Sequence, residues 1–173
     1  MSTLHLLRHA KSRSKEDVDD HERPLSRRGR ETARGIGRNL PGLLGVLDLV
    51  LCSSARRTRE TLELALAGVS PSARCLIEDE LYLADREHLL NRLRRLDARD
   101  ANVLLIGHNP GVHELAFELA DRNSPDFPAL ASSKYPTAAY ARFAVPTDWS
   151  VLGNSRHRLM VYRTPESMLG DRG

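Results

Sequence analysis

A short, uninterrupted apolar run, Val103–Ile106, most constrains what this chain can fold into. A strand that has no polar position on either side must be covered on both faces, as in the centre of a parallel sheet between two layers of helices. The run is followed by Gly107–Gly111 and then by apolar residues at helical spacing from Val112 to Ala120. The pattern therefore predicts a strand–turn–helix unit of an α/β protein.

The same alternation of apolar strands and amphipathic helices continues along the chain. Further strands are predicted at Leu4–Leu7, Leu47–Cys52, Arg74–Ile77, Ala139–Val145 and Arg158–Tyr162. Further helices are predicted from a Ser26 cap to about Leu40, after a cap at Ser53 or Ser54, and around Leu89–Leu96, with a long loop at Arg122–Pro136. This order predicts a three-layer α/β/α sandwich with a mainly parallel central sheet.

Length and composition are those of a soluble protein with one domain, residues 1–173. No segment approaches the roughly 18 apolar residues of a membrane span, and the first residues lack the pattern of a signal peptide. We therefore expect a cytoplasmic protein with no membrane partner. Cys52 and Cys75 are too few for a zinc site and are expected to be buried small apolar residues.

The net charge of +3 is carried almost entirely by arginine. Clusters such as Arg92–Arg95 resemble nucleic-acid contacts, but acidic residues are interleaved and few aromatic rings are available to stack on bases. We expect solvated helix faces and no nucleic-acid partner. Asp17, Asp19 and Asp20 lack convincing Mg²⁺ spacing and are expected to lie in a solvated loop, so no metal and no cofactor are predicted.

Three predicted strand-to-helix junctions carry imidazole or guanidinium groups: Arg8–His9, Ser53–Thr61 and Gly107–Pro110. Ligands of open α/β sheets bind beyond the carboxyl ends of the strands, where helix N-termini favour anions. At the third junction, Asn109 is predicted as the helix cap and Pro110 as the first helical residue. Arginine forks fit phosphate oxygens, and a neutral imidazole is a nucleophile near pH 7. The junctions predict a phosphate site.

At these residues the chain resembles the histidine phosphatase superfamily, which includes the cofactor-dependent phosphoglycerate mutases. The resemblance is greatest to its small SixA-like phosphohistidine phosphatases and covers almost the whole chain. The segments that carry it follow the family's order: Leu7–Ser12, Arg23–Gly29, Ser53–Thr61, Gly107–Gly111 and Lys134–Ala139.

The resemblance implies a phosphoglycerate mutase-like fold and a role for each site residue. His9 would be the nucleophile that is transiently phosphorylated, Arg8 and Arg57 would clamp the phosphoryl oxygens, and His108 would donate a hydrogen bond to them. Arg57, rather than Arg56 or Arg59, matches the family's arginine. Such a site works by positioning and charge stabilisation, and a covalent intermediate divides one difficult displacement into two easier ones.

Two departures from the wider family bear on the substrate. Many mutases and broad phosphatases have a general-acid Glu after the third strand, but the comparable segment here, Glu80–Ala84, has no carboxylate at the matching place. Glu78, Asp79, Glu80 and Asp85 are near in sequence, and none aligns. Without an acid an alkoxide leaves poorly, whereas a phosphohistidine nitrogen leaves as imidazole. The segment between Arg57 and His108 also leaves no room for a cap insertion, so an open site is expected.

The most favoured hypothesis is a metal-independent phosphohistidine phosphatase that acts on a protein such as a phosphorelay or phosphocarrier domain. The alternatives are a small-molecule phosphomonoesterase that uses one of the unaligned carboxylates, and a non-catalytic phosphate-binding module. Lys11, Ser12 and Lys15 follow His9 and stay open as further phosphate contacts. The remaining histidines match no motif and are expected to be ordinary: His5, His21, His88, His113 and His157.

Overall fold

A computed structural model describes residues 1–14, 18–69 and 72–170 of the chain. Six strands form one sheet in the order β3-β2-β4-β1-β5-β6. The strands are β1 (Ser2–Arg8), β2 (Leu49–Ser53), β3 (Arg74–Glu78), β4 (Asn102–Gly107), β5 (Tyr140–Val145) and β6 (Leu159–Arg163). The first four are mutually parallel, and β5 and β6 join antiparallel beyond β1. The predicted mainly parallel sheet is confirmed.

The α-helices of the described residues lie on both faces of this sheet. They are α1 (Arg27–Gly37), α2 (Leu40–Leu44), α3 (Arg56–Ala65), α4 (Arg86–Arg94), α5 (Gly111–Leu119), α6 (Phe127–Ser132) and α7 (Pro165–Leu169). None of the described helices has both the length and the apolar character needed to cross a membrane.

The apolar run that led the sequence analysis lies in β4, at the centre of the sheet. Leu104 is paired with His5 of β1 on one side and with Val50 of β2 on the other. Successive strand residues point to opposite faces. Val103 and Leu105 accordingly pack into the core under α4 and α5, and Leu104 and Ile106 into the core under α1 and α3. Two buried faces explain why the run has no polar position.

The start of α1 agrees with the sequence prediction, but its end and other helix boundaries differ. The Ser26 hydroxyl caps α1 by accepting from the Gly29 amide at 2.9 Å. The helix ends at Gly37, and Leu40 begins the separate α2. The loop predicted from Arg122 to Pro136 was wrong in part, because it contains α6, whose proline lies in the first turn where no amide donor is needed.

The predicted caps of the two site helices were also wrong. The helix α3 begins at Arg56, with Ala55 at the cap position, so neither Ser53 nor Ser54 caps it. Pro110 precedes α5 as its cap residue. The Asn109 side chain instead donates to the Tyr135 carbonyl at 2.9 Å. In both places, a side chain that resembles a helix cap in the sequence instead contacts a residue that is distant in the sequence.

The two cysteines have different surroundings. Cys52 is buried in β2, as predicted, but Cys75 is exposed, so the expectation for it was wrong. The reason is topological: β3 is one of the two edge strands of the sheet, and its residues are mostly exposed. A short apolar run such as residues 75–77 has the same appearance in a sequence whether its strand is central or at an edge.

Candidate active site

Three adjacent strands bring the predicted junctions together at one end of the sheet. In the order β2-β4-β1, His9 directly follows β1, His108 directly follows β4, and Ser53 is the last residue of β2. The register pairs Arg8 with Gly107. Because the strands are parallel and in step, the His9 and His108 rings become neighbours, with their centroids 5.3 Å apart.

An open cavity of about 350 Å³ lies at this end of the sheet. All four residues of the predicted site line it: Arg8, His9, Arg57 and His108. Its other lining residues are Lys11, Ser12, Asp20, Arg23, Leu83, Asn109 and Thr137. The structure therefore brings the predicted set together, with Lys11 and Ser12 beside it. Lys15 lies outside the described residues.

His9 is buried and is held as a neutral ring. Its Nδ1 lies 2.7 Å from the Ala10 carbonyl, an acceptor, so this nitrogen carries the proton and Nε2 keeps its lone pair. Burial lowers the pKa of His9 to about 3, and the nearby arginines add to this effect against the Ala10 hydrogen bond. At neutral pH the ring is therefore neutral, with a lone pair on Nε2.

Arg57 and Arg8 line the cavity, and each has a buried nitrogen without a hydrogen-bond partner among the described residues. The Arg57 side chain is only 2% exposed, and its two terminal nitrogens donate to Asp20, to the carbonyl at 2.8 Å and to the carboxylate at 3.1 Å. Arg8 donates to the Tyr135 carbonyl at 3.1 Å. Within the described part of the chain, the Nε of each guanidinium is buried without a partner. Buried donors of this kind are costly unless an anion satisfies them.

His108 is a second neutral ring, and Ser53 determines which nitrogen is protonated. Burial, with the neighbouring His9 and Arg57, lowers the pKa of His108 to about 3. Its Nε2 lies 2.7 Å from the Ser53 hydroxyl, and its Nδ1 is buried and has no partner among the described residues. When the hydroxyl donates to Nε2, the single ring proton lies on Nδ1 and is available to a phosphoryl oxygen. In the sequence, Ser53 was identified as a possible helix cap and as the first residue of the family segment Ser53–Thr61, but no contact with His108 was predicted.

Asp20 is a site residue that the sequence did not predict. The expectation of a solvated loop was wrong for it, although Asp19 is exposed, and Asp17 lies outside the described residues. The Asp20 carboxylate accepts from Arg23 at 3.0 Å, from Arg57 and from the Tyr82 hydroxyl. Burial alone would raise the pKa of Asp20, but these hydrogen bonds and the Arg57 charge hold it well below its usual range.

Two aromatic side chains, Tyr82 and His21, pack against each other beside Asp20. The Tyr82 ring lies edge-on to His108, at 5.7 Å, and to His21, at 4.9 Å. The His21 Nε2 also lies 2.9 Å from the Ser54 hydroxyl. His21 was expected to be ordinary, and its contacts are with Ser54 and with Tyr82. No spacing pattern links His21 to Tyr82, so no sequence signal could have found this contact.

The other motif residues hold the loops that carry the site. Gly29 allows α1 to approach the loop after His9, since a Cβ there would lie 1.9 Å from the Lys11 carbonyl oxygen. The Thr61 hydroxyl accepts from the Ala10 amide at 3.0 Å. The Glu60 carboxylate accepts from the Leu25 amide at 2.7 Å. These residues position the site without entering it.

The four carboxylates that failed to align in sequence do not line the cavity. Glu78 and Glu80 pair with arginines of α4 and its end, and Asp85 caps α4 by accepting from the His88 amide at 2.9 Å. Among the described residues, no group of three or more His, Cys, Asp or Glu side chains could hold a metal ion. Asp20 is therefore the carboxylate that the described structure brings to the cavity.

Comparison with known proteins agrees with this geometry. Residues 4–82 match the model of the histidine phosphatase superfamily (branch 1). An uncharacterised protein of Mycobacterium tuberculosis is 34% identical over 146 residues, which are 83% of this chain and 90% of that protein. The proposed phosphohistidine phosphatase SixA of Nakamurella multipartitia is 32% identical and has a TM-score of 0.79, covering 95% of this chain and 96% of that chain.

A second solved structure has the same architecture. The proposed phosphohistidine phosphatase SixA of Agrobacterium tumefaciens is 25% identical, with a TM-score of 0.76 over 95% of this chain and 98% of that chain. Matches of sequence and fold over this length, together with a cavity formed by the family's motifs, lead to one assignment. The chain belongs to the histidine phosphatase superfamily.

Proposed function

We propose that residues 1–173 form a single phosphatase domain that removes the phosphoryl group from phosphohistidine on a protein, without a metal, through a phosphorylated His9. The observation that carries this proposal is the state of His9. It is a buried neutral ring whose Nδ1 proton is donated to the Ala10 carbonyl, and it lines a cavity together with three arginines and a second imidazole.

The reaction follows from these groups. In the first step, His9 Nε2 forms a bond to phosphorus while the bond to the leaving nitrogen breaks and its electron pair stays on that nitrogen. In the second step, water attacks the phosphorylated His9 and releases inorganic phosphate. The unused donors, Arg8 Nε, Arg57 Nε and His108 Nδ1, would stabilise the phosphoryl oxygens in both steps.

The preference for a P–N bond is supported by the state of Asp20. An alkoxide leaving group needs a proton from an acid, but the pKa of this carboxyl is depressed, so it is ionised at neutral pH. The small-molecule phosphomonoesterase alternative relied on the four unaligned carboxylates, which do not line the cavity, and three of them, Glu78, Glu80 and Asp85, have partners elsewhere. Likeness to proteins described as SixA phosphohistidine phosphatases also favours this substrate class.

A protein substrate of the phosphorelay or phosphocarrier type is supported by the open cavity. The described residues between Arg57 and His108 form the rest of α3, the edge strand β3, a short 3-10 helix (Asp79–Leu81), α4 and β4. These elements belong to the sandwich itself. A histidine on the surface of another domain could therefore reach His9.

The experiment compares a phosphohistidine protein with p-nitrophenyl phosphate and a sugar phosphate, all in EDTA. Wild type should hydrolyse the phosphohistidine protein fastest, and His9→Ala should lose this activity. His88→Ala, at an exposed histidine outside the cavity, is the matched control and should keep it. Faster turnover of the sugar phosphate would replace the proposal with a small-molecule phosphatase. Phosphate binding without any turnover would replace it with a binding module.

A further inference from the structure

We propose that Asp20 is a specificity-determining residue that accepts a hydrogen bond from the substrate's leaving imidazole, at the ring nitrogen that does not carry the phosphoryl group. The inference rests on the proposed function and deepens it. It assigns a role to the one carboxylate that the described structure brings into the cavity, and it explains how a P–N bond would be selected over a P–O bond.

The position of the carboxylate carries the first step of the argument. Asp20 lines the same cavity as His9, and its side chain remains 25% exposed. One oxygen accepts from Arg23, and the other accepts from Arg57 and Tyr82. A carboxylate has about four acceptor sites, so three donors leave capacity for one more. A substrate group that enters the cavity can therefore still donate to Asp20.

The charge of the carboxylate carries the second step. The charged and titratable groups that act on it come from every neighbouring element: Arg23 after the 3-10 helix (Asp20–Glu22), Arg57 of α3, Tyr82 after the next 3-10 helix, and His108 after β4. Two of them are permanent cations and a third is a hydroxyl donor. Asp20 is therefore an acceptor at neutral pH, which excludes it as the proton donor to an ester oxygen.

The chemistry of the leaving group carries the third step. A phosphorylated imidazole that is protonated on its second nitrogen departs as neutral imidazole, whereas an unprotonated one must depart as an anion. In the transfer, His9 Nε2 bonds to phosphorus, the P–N bond breaks, and its electron pair stays on the leaving nitrogen. The proton remains on the second nitrogen throughout, where a carboxylate stabilises it. No proton has to be delivered.

His9 itself has an acceptor that keeps a proton on its second ring nitrogen. The Ala10 carbonyl accepts from His9 Nδ1 at 2.7 Å, so phosphorylated His9 also keeps a proton on its second nitrogen. When water attacks, His9 departs as a neutral ring. Asp20 would accept a hydrogen bond from the substrate's ring as the Ala10 carbonyl accepts one from His9. An alcohol or phenol leaving group has no such N–H to donate, and the negative charge that develops on its oxygen would be repelled.

The test uses the variant Asp20→Asn, which keeps the shape of the side chain and removes its charge. The control variant is Asp19→Asn, at the exposed neighbouring residue. We expect kcat/KM for a phosphohistidine protein to fall about 10- to 100-fold, as for one charge-assisted hydrogen bond. The value for p-nitrophenyl phosphate should be unchanged or rise by up to about threefold, because nitrophenolate needs no N–H acceptor and is no longer repelled by the carboxylate. Asp19→Asn should leave both values unchanged.

The pH profile separates this role from a merely structural one. In wild type, turnover of the phosphohistidine protein should decline where the bound ring loses its second proton, and Asp20→Asn should move that decline to lower pH. A loss of equal size on both substrates, an unmoved profile or no loss would each overturn the inference. If wild type hydrolysed p-nitrophenyl phosphate but not the phosphohistidine protein, the proposed function itself would fail.

A second variant keeps the test decisive if Asp20→Asn does not fold. Tyr82→Phe removes one donor to the same carboxylate and leaves both of its arginine contacts. A less firmly held carboxylate should give a smaller loss, about threefold or more on the phosphohistidine protein and less on p-nitrophenyl phosphate. Equal effects on the two substrates, or none, would overturn the inference here too.

Discussion

Removal of the Ser53 hydroxyl tests how the second imidazole of the site is oriented. Ser53 is fully buried at the end of β2, and its hydroxyl lies 2.7 Å from His108 Nε2. In Ser53→Ala, Nε2 has lost its partner and the ring proton is free to occupy either nitrogen. The donor at Nδ1, which we expect to contact the phosphoryl group, is then present for only part of the time.

The size of the effect follows from one lost hydrogen bond. A neutral hydrogen bond contributes about 1 kcal/mol, and a buried polar atom left without a partner costs about 1–3 kcal/mol. We expect the transition state to lose about 1–2 kcal/mol, which corresponds to roughly a 5- to 30-fold fall in kcat. The overlying Ala55 amide has only a long contact of 3.4 Å to this hydroxyl, so its loss should add little.

The assay measures kcat and KM on a phosphohistidine protein and the tautomer of His108 by nitrogen NMR. Wild type should carry the proton on Nδ1, and Ser53→Ala should show a mixture of the two tautomers. Ser54→Ala is the matched control, because this neighbouring hydroxyl contacts His21 instead of His108. A kcat within twofold of wild type in Ser53→Ala, or an Nε2 proton in wild type, would refute the reasoning.

Three further predictions follow from contacts already described. Gly29→Ala places a Cβ 1.9 Å from the Lys11 carbonyl oxygen, and urea denaturation should show that the free energy of unfolding falls by about 1–3 kcal/mol or more. Gly42→Ala is the control, because its Cβ would meet nothing within 4 Å, and it should not lower the free energy of unfolding. Arg57→Lys should reduce kcat at least 10²-fold with the fold intact by circular dichroism, because an ammonium cannot replace the guanidinium fork. Lowering the pH from 7 to 5 should reduce the free energy of unfolding by about 2 kcal/mol for each of the buried rings of His5, His9 and His108. The reason is that histidine has a pKa of about 6.5 in the unfolded chain, so the unfolded chain takes up protons in this range and the folded protein does not. Constant stability between pH 7 and pH 5 would contradict the lowered pKa values of these three residues.

The sheet and the nearness of His9 to His108 could be predicted because local patterns encode them, whereas Arg57 was distinguished from Arg56 and Arg59 only by the family resemblance. Two-sided burial of β4 requires an apolar run, and chemistry placed directly after a strand must lie at that strand's carboxyl end. The register of β1 against β4 then brings His9 beside His108. Nothing beyond strand order is needed to bring these groups together.

Asp20 and Ser53 could not be predicted for the opposite reason. The residues around Asp20 form a charged segment like many solvated loops, and its place in the cavity depends on Arg57 and Tyr82, which are distant in sequence. Ser53 resembles a helix cap in the sequence, and its contact with His108 depends on the position of the neighbouring strand β4. Cys75 was assigned wrongly because the edge position of β3 comes from the order of the strands and not from its residues.

The phosphoryl transfer to His9 is tested most directly by a single-turnover experiment. The enzyme is mixed in excess with a phosphohistidine protein that carries a radioactive phosphoryl group, quenched in alkali at short times, digested and sequenced by mass spectrometry. The account predicts one transient phosphoryl group on the peptide that contains His9, forming and decaying at rates that support turnover, and none in His9→Ala. Release of phosphate at the full rate with no label on His9 would contradict it.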